Sequence, residues 1–379
     1  MYRIGVVGTG FIAKGLVDLL TSHQGYTLSG VLTRTNIQER SSFPQNHLLT
    51  NSIEDLIDSS DLIVECSGDV IYATDTIDQI LKANIPVVTM NSEFHITTGS
   101  YFIDKGLVTE AEGDQPGALA ILHEEAIDMG FSPLVYGNIK GFLNHSPTIE
   151  DMQFWSKKSQ ISLGMVTSFT DGTKVQIEQA LVANGLGAAI VEDGLIGMPY
   201  DDMAVGGNIL ASKAKNLGAP VSDYLLSAKL PAGVFVIVEH EGNQQAAMRY
   251  FKMGDGPYYV LERTYHLCHL EILKTIKRVL SGGGVLLDNS PKPRISVATI
   301  AKRDLKAGEQ IDKGIGSFDV RGIAVTIEDN IDHIPIGLMS DATLRRDVAA
   351  GERLRFDDVD IPDSLAVRIW EEIVEGIGK

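Results

Sequence analysis

Short apolar runs alternate with helical patterns along the first third of the chain. The helical patterns begin near Phe11, Ser52 and Val70, and they lie between apolar runs long enough for buried strands. The predicted strands are Arg3–Val7, Thr27–Leu32, Asp61–Cys66, Pro86–Met90 and, later, Leu134–Tyr136. Strands that alternate with helices in this way are typical of a doubly wound parallel sheet. We therefore expect an α/β Rossmann domain over residues 1–140.

A mixed pattern replaces this alternation over residues 141–290. Helices are predicted at Lys174–Asn184 and His266–Leu280, and a strand is predicted at Gly233–Glu239. A glycine run followed by Pro291 marks the end of this part. We expect an α+β domain here that binds the substrate and forms contacts between subunits.

An internal repeat follows in residues 291–379. Residues 299–311 align with residues 342–354 at a constant offset of 43, and both copies place Arg-Asp before an Ala-Gly-Glu turn. Two copies of one β-turn unit predict a small pseudo-symmetric β module. We expect it to have a structural role, closing the substrate pocket or the subunit interface rather than supplying chemistry. Apolar residues at helical spacing then predict an amphipathic helix over Leu365–Ile377 that docks on the core.

The segment Gly8-Thr-Gly10-Phe-Ile-Ala13 joins the first strand directly to the first helix. Gly8 permits a tight turn, Gly10 lets the backbone approach phosphates, and Ala13 lets the helix lie close to the sheet. Such a segment binds a dinucleotide pyrophosphate on backbone N–H groups, whereas the alternative is an ordinary turn between a strand and a helix. The residues predicted to bind the cofactor are Gly8, Gly10, Phe11, Ile12, Thr33, Arg34, Ser67 and Gly68.

The end of the second strand bears on the choice of cofactor. In NAD-binding domains, the second strand usually ends in Asp or Glu, whose carboxylate binds the ribose hydroxyls. Here the strand ends in Leu32-Thr33-Arg34-Thr35, so no carboxylate repels a 2′-phosphate and Arg34 can donate charge-assisted hydrogen bonds to one. We therefore expect NADP(H) rather than NAD(H). The alternative is that Arg34 is a solvated loop residue.

Composition limits the classes of partner. The chain has 379 residues, 44% of them hydrophobic and 22% charged, as is ordinary for a globular protein of two or three domains. A formal net charge of −18 argues against nucleic acid and anionic membrane surfaces as partners. The two cysteines, Cys66 and Cys268, show no metal-binding or redox spacing, and we find no signal peptide or membrane-spanning run. We expect a cytoplasmic protein that acts on a small molecule.

Three parts of the chain resemble known families. The N-terminal part is similar to the nucleotide-binding domain of homoserine dehydrogenases, and the C-terminal repeat resembles the SAF domain, a β-clip module. The intervening segments resemble the SAF-domain-containing predicted homoserine dehydrogenase family, which includes enzymes like deoxyxylulose-phosphate reductoisomerase. These segments are Asp114-Gln-Pro116, Ser168-Phe-Thr-Asp171-Gly-Thr-Lys174, Glu178 and Ala183-Asn184. The resemblance implies a self-associating, NAD(P)-dependent oxidoreductase.

Lysines and carboxylates of the middle part are candidates for the chemistry. Hydride transfer to a carbonyl needs a proton donor for the developing alkoxide, and a lysine ammonium group also stabilises the oxyanion. Lys174 is the first candidate, because it should open a helix one turn before Glu178, although the two could form a mere surface ion pair. The predicted catalytic residues are Lys174, Lys140 and Asp171, and the predicted substrate-binding residues are Glu93, Asp114, Glu178 and His145. For Asp114, the alternative role is that of a helix cap.

A divalent metal is left open by the sequence. Reductoisomerases of the type that the chain resembles hold such an ion on carboxylates. Hard cations need clustered oxygen ligands, which the fold would have to bring together. The carboxylates that could supply them are Glu93, Asp114, Asp171 and Glu178.

We expect an NADPH-dependent reductase that acts on a small polar aldehyde or ketone, sugar-derived or phosphorylated, with or without isomerisation. One alternative is a homoserine-dehydrogenase-like enzyme acting on an amino-acid semialdehyde. Against it, Asn91-Ser92-Glu93 stands where those enzymes carry an Asn-Lys pair. The other alternative is a non-catalytic NAD(P)-binding sensor whose SAF module contacts a partner protein.

Overall fold

The computed structural model describes residues 1–240 and 244–377. The chain divides into two compact units, each assembled from separate segments. Unit 1 contains Met1–Gly117, His266–Pro291 and the chain from Ser364 onwards, and unit 2 contains Ala118–Tyr265 and Lys292–Asp363. The division into three domains at residues 140 and 290 stays a prediction.

A six-stranded, wholly parallel sheet forms the centre of unit 1, in the order β3-β2-β1-β4-β5-β6. This order is that of the doubly wound nucleotide-binding fold, which confirms the predicted Rossmann architecture. Its strands are β1 Tyr2–Val7, β2 Tyr26–Leu32, β3 Leu49–Thr50, β4 Leu62–Glu65, β5 Val87–Thr89 and β6 Val108–Glu110. The predicted strand Leu134–Tyr136 does not belong to this sheet but to that of unit 2.

Helices cover the sheet of unit 1 with their apolar faces. They are α1 Phe11–Ser22, α2 Ile53–Ser59, α3 Val70–Lys82, α4 Ser92–Thr98, α11 Ile272–Leu280 and α12 Leu365–Ile377. The predicted start at Ser52 is confirmed, because its hydroxyl accepts the N–H of Asp55 at 3.0 Å. The helix predicted from His266 begins later, since only a short 3₁₀ turn precedes Ile272. The predicted helix at Leu365–Ile377 is confirmed, and it packs on α3 and α4 through buried residues such as Trp370.

A four-stranded mixed sheet lies in unit 2, in the order β10-β9-β7-β8. Its strands are β7 Phe131–Lys140, β8 Val221–Leu226, β9 Val234–His240 and β10 Tyr258–Arg263. The helices of this unit are α5 Gln115–Asp128, α6 Ile149–Ser159, α7 Leu163–Thr170, α8 Thr173–Gly185, α9 Met203–Leu217 and α10 Gln245–Tyr250. Helix α8 is central, since every residue from Thr173 to Asn184 is buried. It contacts β7 and β8 on one side and the C-terminal strands on another.

The C-terminal β region of unit 2 contains the sequence repeat. Its strands are β11 Ile295–Ala301, β12 Gln310–Lys313, β13 Val320–Thr326, β14 Ser340–Leu344 and β15 Val359–Asp360. The two copies pair with each other through equivalent bonds. Asp304 accepts the N–H of Ala350 at 2.9 Å, and Asp347 accepts the N–H of Ala307 at 3.0 Å. The repeat is thus pseudo-symmetric, as its sequence predicts. Strands β11 and β13 pack on α8, so this region shares a core with the rest of unit 2.

None of the helices in residues 1–240 and 244–377 combines the length and apolar composition that crossing a membrane requires.

Candidate active site

The glycine turn of unit 1 follows β1 at the edge of the sheet where the parallel strands end. Gly8 has a positive φ of 108°, and a Cβ there would lie 2.9 Å from the carbonyl oxygen of Cys66. Only glycine fits this position without strain. Gly10 caps α1 in an extended conformation, and a Cβ there would meet nothing within 4 Å. The space in front of the N-terminus of α1 is therefore open, as a pyrophosphate held on backbone N–H groups requires.

A second turn at this edge follows β4. Gly68 has a positive φ of 66° and open space around it, and Asp69 caps α3 by accepting the N–H of Tyr72 at 3.1 Å. The buried carboxylate of Glu65 accepts the N–H of Ser67 at 2.6 Å, which fixes the turn. Burial raises the pKa of Glu65, and the hydrogen bonds that its carboxylate accepts, including the one from Ser67, oppose the rise. The turn thus presents Ser67 and Gly68, both predicted cofactor-binding residues, beside the glycine turn.

Arg34 follows β2 at the same edge. Its Nη1 lies 2.8 Å from the Asp69 carboxylate, and its guanidinium group lies 4.3 Å from the centre of the Tyr72 ring. The side chain remains 54% exposed. Thr33, beside it, is buried and bonds through its hydroxyl to that of Thr35 at 2.9 Å. The sequence places Asp69 after a strand at the ligand-binding edge of the sheet, but its pairing with Arg34, which comes from another strand–helix turn, was not predicted.

Two predicted substrate-binding residues, Glu93 and Asp114, are buried in unit 1. Glu93 lies in the first turn of α4. Asp114 accepts the N–H of Gln115 at 3.0 Å where α5 begins and the hydroxyl of Ser92 at 3.3 Å. A capping side chain accepts the N–H of the second or third residue of the helix, whereas this bond comes from the residue next to Asp114, so the capping alternative stays a prediction.

A polar cluster in unit 2 gathers three of the predicted residues on β7 and α8. One carboxylate oxygen of Glu178 lies 2.9 Å from Nζ of Lys140 and accepts a hydrogen bond from the amide of Asn138 at 2.8 Å. Lys174 lies one turn before Glu178, so the two share a face of α8. Asn138 and Glu178 are fully buried and Lys174 is 8% exposed. Asn138 was not predicted, since an amide within an apolar strand carries no motif.

A buried ion pair lies at the start of the same helix. The Asp171 carboxylate lies 2.6 Å from Nζ of Lys302 and also accepts the N–H of Thr173 at 2.8 Å. The two charged side chains are 0% and 3% exposed. Burial raises the pKa of Asp171, and the ammonium group of Lys302 opposes that rise. The exposed His145 has its ring beside Gly172, because a Cβ on that glycine would lie 3.7 Å from it.

The carboxylates of unit 2 do not fit a divalent metal. Asp171 is bound to the ammonium group of Lys302, and Glu178 is bound to that of Lys140. In the part of the chain that the structure describes, no group of three or more His, Cys, Asp or Glu side chains is arranged to hold a metal ion. No step proposed below involves a metal.

Comparisons with known families match two segments of the chain. The model of the homoserine dehydrogenase NAD binding domain matches residues 8–100, which include both turns and Arg34. The model of the oxidoreductase DRL catalytic domain matches residues 113–272, which include Lys140, Asp171, Lys174 and Glu178. A search of curated proteins gave no match. The SAF resemblance of the C-terminal region stays a prediction.

Solved structures of several dehydrogenases are similar to this chain over about three quarters of its length. A probable dehydrogenase from Thermotoga maritima is 16% identical, with a TM-score of 0.45 over 76% of this chain and 91% of that one. An oxidoreductase from the same organism is 14% identical, with a TM-score of 0.40 over 76% and 91%. UDP-N-acetylglucosamine 3-dehydrogenase GnnA from Acidithiobacillus ferrooxidans is 12% identical, with a TM-score of 0.43 over 76% and 92%.

The sheet order and glycine turns of unit 1 fit a nicotinamide dinucleotide, and the two family matches cover the cofactor-binding and catalytic parts of such an enzyme. The protein is an NAD(P)-dependent oxidoreductase.

Proposed function

We propose that the enzyme uses NADPH to reduce a small polar aldehyde or ketone that is sugar-derived or phosphorylated. The preference for NADPH rests on Arg34, the cation that follows β2 where NAD-dependent enzymes usually carry a carboxylate. Its stacking on Tyr72 and its pairing with Asp69 leave about half of the side chain exposed. A 2′-phosphate would compete with Asp69 for the guanidinium group, which forms bidentate bonds to phosphate.

The observation that carries the catalytic proposal is the cluster of Lys140, Lys174 and Glu178 within the segment that matches an oxidoreductase catalytic domain. Lys174 is the proposed proton donor. Lys140 is held by Glu178 as a fixed positive charge that would stabilise a developing alkoxide. Asn138 fixes the Glu178 carboxylate from β7 and so orients Lys140. Lys140 is the second candidate for the proton donor.

The turns at Gly8 and Gly68 would hold the dinucleotide, and Arg34 would bind its 2′-phosphate. When bound, NADPH supplies a hydride for the carbonyl carbon of the substrate. Lys174 donates a proton to the carbonyl oxygen, and the product is an alcohol. Lys174 is then the neutral amine and takes up a proton before the next turnover. Burial of Glu178 and Asn138 keeps water from the carboxylate that positions Lys140.

Steady-state oxidation of NADPH with a panel of aldehydes and ketones tests this function. The panel should pair phosphorylated sugars with their unphosphorylated forms, and product analysis would reveal isomerisation. Turnover with NADPH on a sugar-derived or phosphorylated member is the expected result. No turnover with any member, while NADPH still binds, would refute the proposal.

Aspartate semialdehyde belongs in the same panel, because residues 8–100 match the homoserine dehydrogenase cofactor domain. That match ends before the catalytic part of the chain, and Asn91-Ser92-Glu93 follows β5 in place of an Asn-Lys pair. We therefore expect this semialdehyde to be a poor substrate. A preference for it over every sugar-derived member would favour the homoserine-dehydrogenase-like alternative.

A further inference from the structure

Two cations lie side by side where the C-terminal strands meet α8. Lys302 follows β11, and its N–H donates to the carbonyl oxygen of Asp319 at 2.7 Å. Arg321 lies on β13, where it pairs in register with Ile300 of β11. The next residue, Gly322, donates its N–H to the Thr173 hydroxyl at 3.0 Å, so Arg321 lies next to the first turn of α8.

Arg321 is the unusual member of this group. Its side chain is partly buried, yet it makes no hydrogen bond and no ion pair with any residue in the described ranges 1–240 and 244–377. Burial lowers the pKa of its guanidinium group, which reflects the unfavourable removal of the charge from water. A desolvated cation is normally compensated by an anion, and here the one that attracts it, Asp171, is already paired with Lys302.

The charged groups nearest to Arg321 are one carboxylate, that of Asp171, and a second cation, Lys302. Lys302 and Arg321 both act electrostatically on His145, and Asp171 neutralises only one of the two cations. Asp319, which also acts on Lys302, is ion-paired with Arg303 at 2.7 Å, and Arg303 is paired with Glu309 as well, at 2.9 Å. The N-terminus of α8, capped by Gly172 without a side chain, adds a partial positive charge at the same place.

We propose that Arg321 and Lys302, with His145 beside them, form a binding site for an oxyanion group, phosphate or carboxylate, that the substrate carries. The assignment of this anion to the substrate rests on the proposed function, whereas the anion site itself does not. Arg321 would bind two oxygens of the anion through its planar guanidinium group. The ammonium group of Lys302 would add electrostatic attraction for the same anion. The substrate class is then an anionic, sugar-derived carbonyl compound, and the C-terminal β region takes part in binding it.

Titration calorimetry of the full chain with inorganic phosphate and, separately, with glycolate tests the anion site. The key variant is Arg321→Met, and its matched control is Arg303→Met, which removes a neighbouring arginine that is 49% exposed and already paired with acidic residues. We expect saturable binding of at least one anion by the parent protein. Arg321→Met should weaken it by about 10-fold or more, the effect of losing a charge-assisted hydrogen bond, and Arg303→Met should leave it within about 2-fold.

Thermal unfolding without ligand provides the second measurement. Among residues 1–240 and 244–377, the Arg321 side chain has no hydrogen-bond or ion-pair partner to lose, and its charge is partly removed from water. Arg321→Met should therefore leave Tm unchanged or raise it. A fall in Tm larger than that of Arg303→Met would show a structural role and overturn the proposal. So would unchanged anion affinity in Arg321→Met, or no binding of either anion by the parent protein at millimolar concentrations.

The two anions distinguish the two charged groups that the substrate could carry, a phosphate and a carboxylate. Binding of phosphate alone supports a phosphorylated substrate, and binding of glycolate alone supports a carboxylated one. Anion binding that depends on Arg321, with no reductase activity on any carbonyl compound, would support the site and refute the proposed function. Reduction of neutral aldehydes without any anion binding would support the proposed reductase function and refute the anion site.

Discussion

The carboxylate of Asp171 lies 2.6 Å from the ammonium group of Lys302, 131 residues later in the chain. Asp171 ends α7 immediately before α8, and Lys302 belongs to the first copy of the C-terminal repeat. The repeat therefore places a charged side chain at the start of the helix that carries Lys174 and Glu178. The sequence predicts that the repeat closes the substrate pocket or the subunit interface, and that role stays a prediction.

This pair should couple strongly in a double-mutant cycle. Asp171→Asn and Lys302→Met each leave the other charge buried without its counter-ion, so each should lower the free energy of unfolding by about 3–5 kcal/mol. The double variant should lose clearly less than the sum of the two. Urea unfolding of the four proteins measures the coupling.

The control for this cycle is the exposed pair of Lys306 and Asp347, which are 68% and 62% exposed. Its coupling should be about 0–1 kcal/mol. If Asp171 and Lys302 couple no more strongly than this surface pair, the contact contributes little to stability, and the repeat is not joined to α8 through it.

The glycine turn predicts opposite effects for two neighbouring glycines. Gly10→Val should abolish binding of NADPH while leaving Tm within a few degrees, because Gly10 has an extended backbone and a Cβ there meets nothing. Gly8→Val should destabilise the fold, because its φ is positive and its Cβ would meet the Cys66 carbonyl oxygen. Thermal unfolding and fluorescence titration with NADPH distinguish the two. Normal NADPH affinity in Gly10→Val would exclude the turn as the pyrophosphate site.

The choice between cofactors depends on Arg34. Arg34→Ala should weaken binding of NADPH by about 1.5–3 kcal/mol, the contribution of a charged hydrogen bond, and should leave NADH nearly unchanged. Arg3→Ala is the matched control, since Arg3 is also paired with an aspartate, at 2.7 Å, but lies at the start of β1, away from the turns. Equal losses of affinity for NADPH and NADH in Arg34→Ala would show that Arg34 does not bind the 2′-phosphate.

The sequence predicted the larger elements of unit 1 well and the short ones poorly. Apolar runs before Gly8 and before Ser67 are clear signals, whereas β3 and β6 have only two and three residues and show no periodicity. Helix α8 was predicted from its ends, because a helix buried on all sides has no amphipathic pattern.

The candidate site was predicted only in part for a related reason. Lys140 could be named because it ends a strand, and Glu178 because it lies one helical turn after Lys174, but their contact depends on how α8 packs on β7. The contact of Asp171 with Lys302 depends on the packing of the repeat against α8, and no spacing in the sequence encodes it. Arg321 carries no motif either, and what distinguishes it is its partial burial with no hydrogen bond or ion pair of its side chain among the described residues.

The two lysines near Glu178 can be separated by their kinetic effects. Lys174→Met removes the proposed proton donor while keeping the apolar part of the side chain. It should lower kcat by at least about 100-fold, a scale typical of general acid catalysis, with NADPH affinity retained. Lys140→Met removes the ammonium group that lies 2.9 Å from the buried Glu178 carboxylate. It should therefore lower both kcat and stability, whereas Lys140→Arg should restore part of each by preserving the charge. A kcat of Lys174→Met within a few-fold of the parent, together with a loss of about 100-fold or more in Lys140→Met, would transfer the role of proton donor to Lys140.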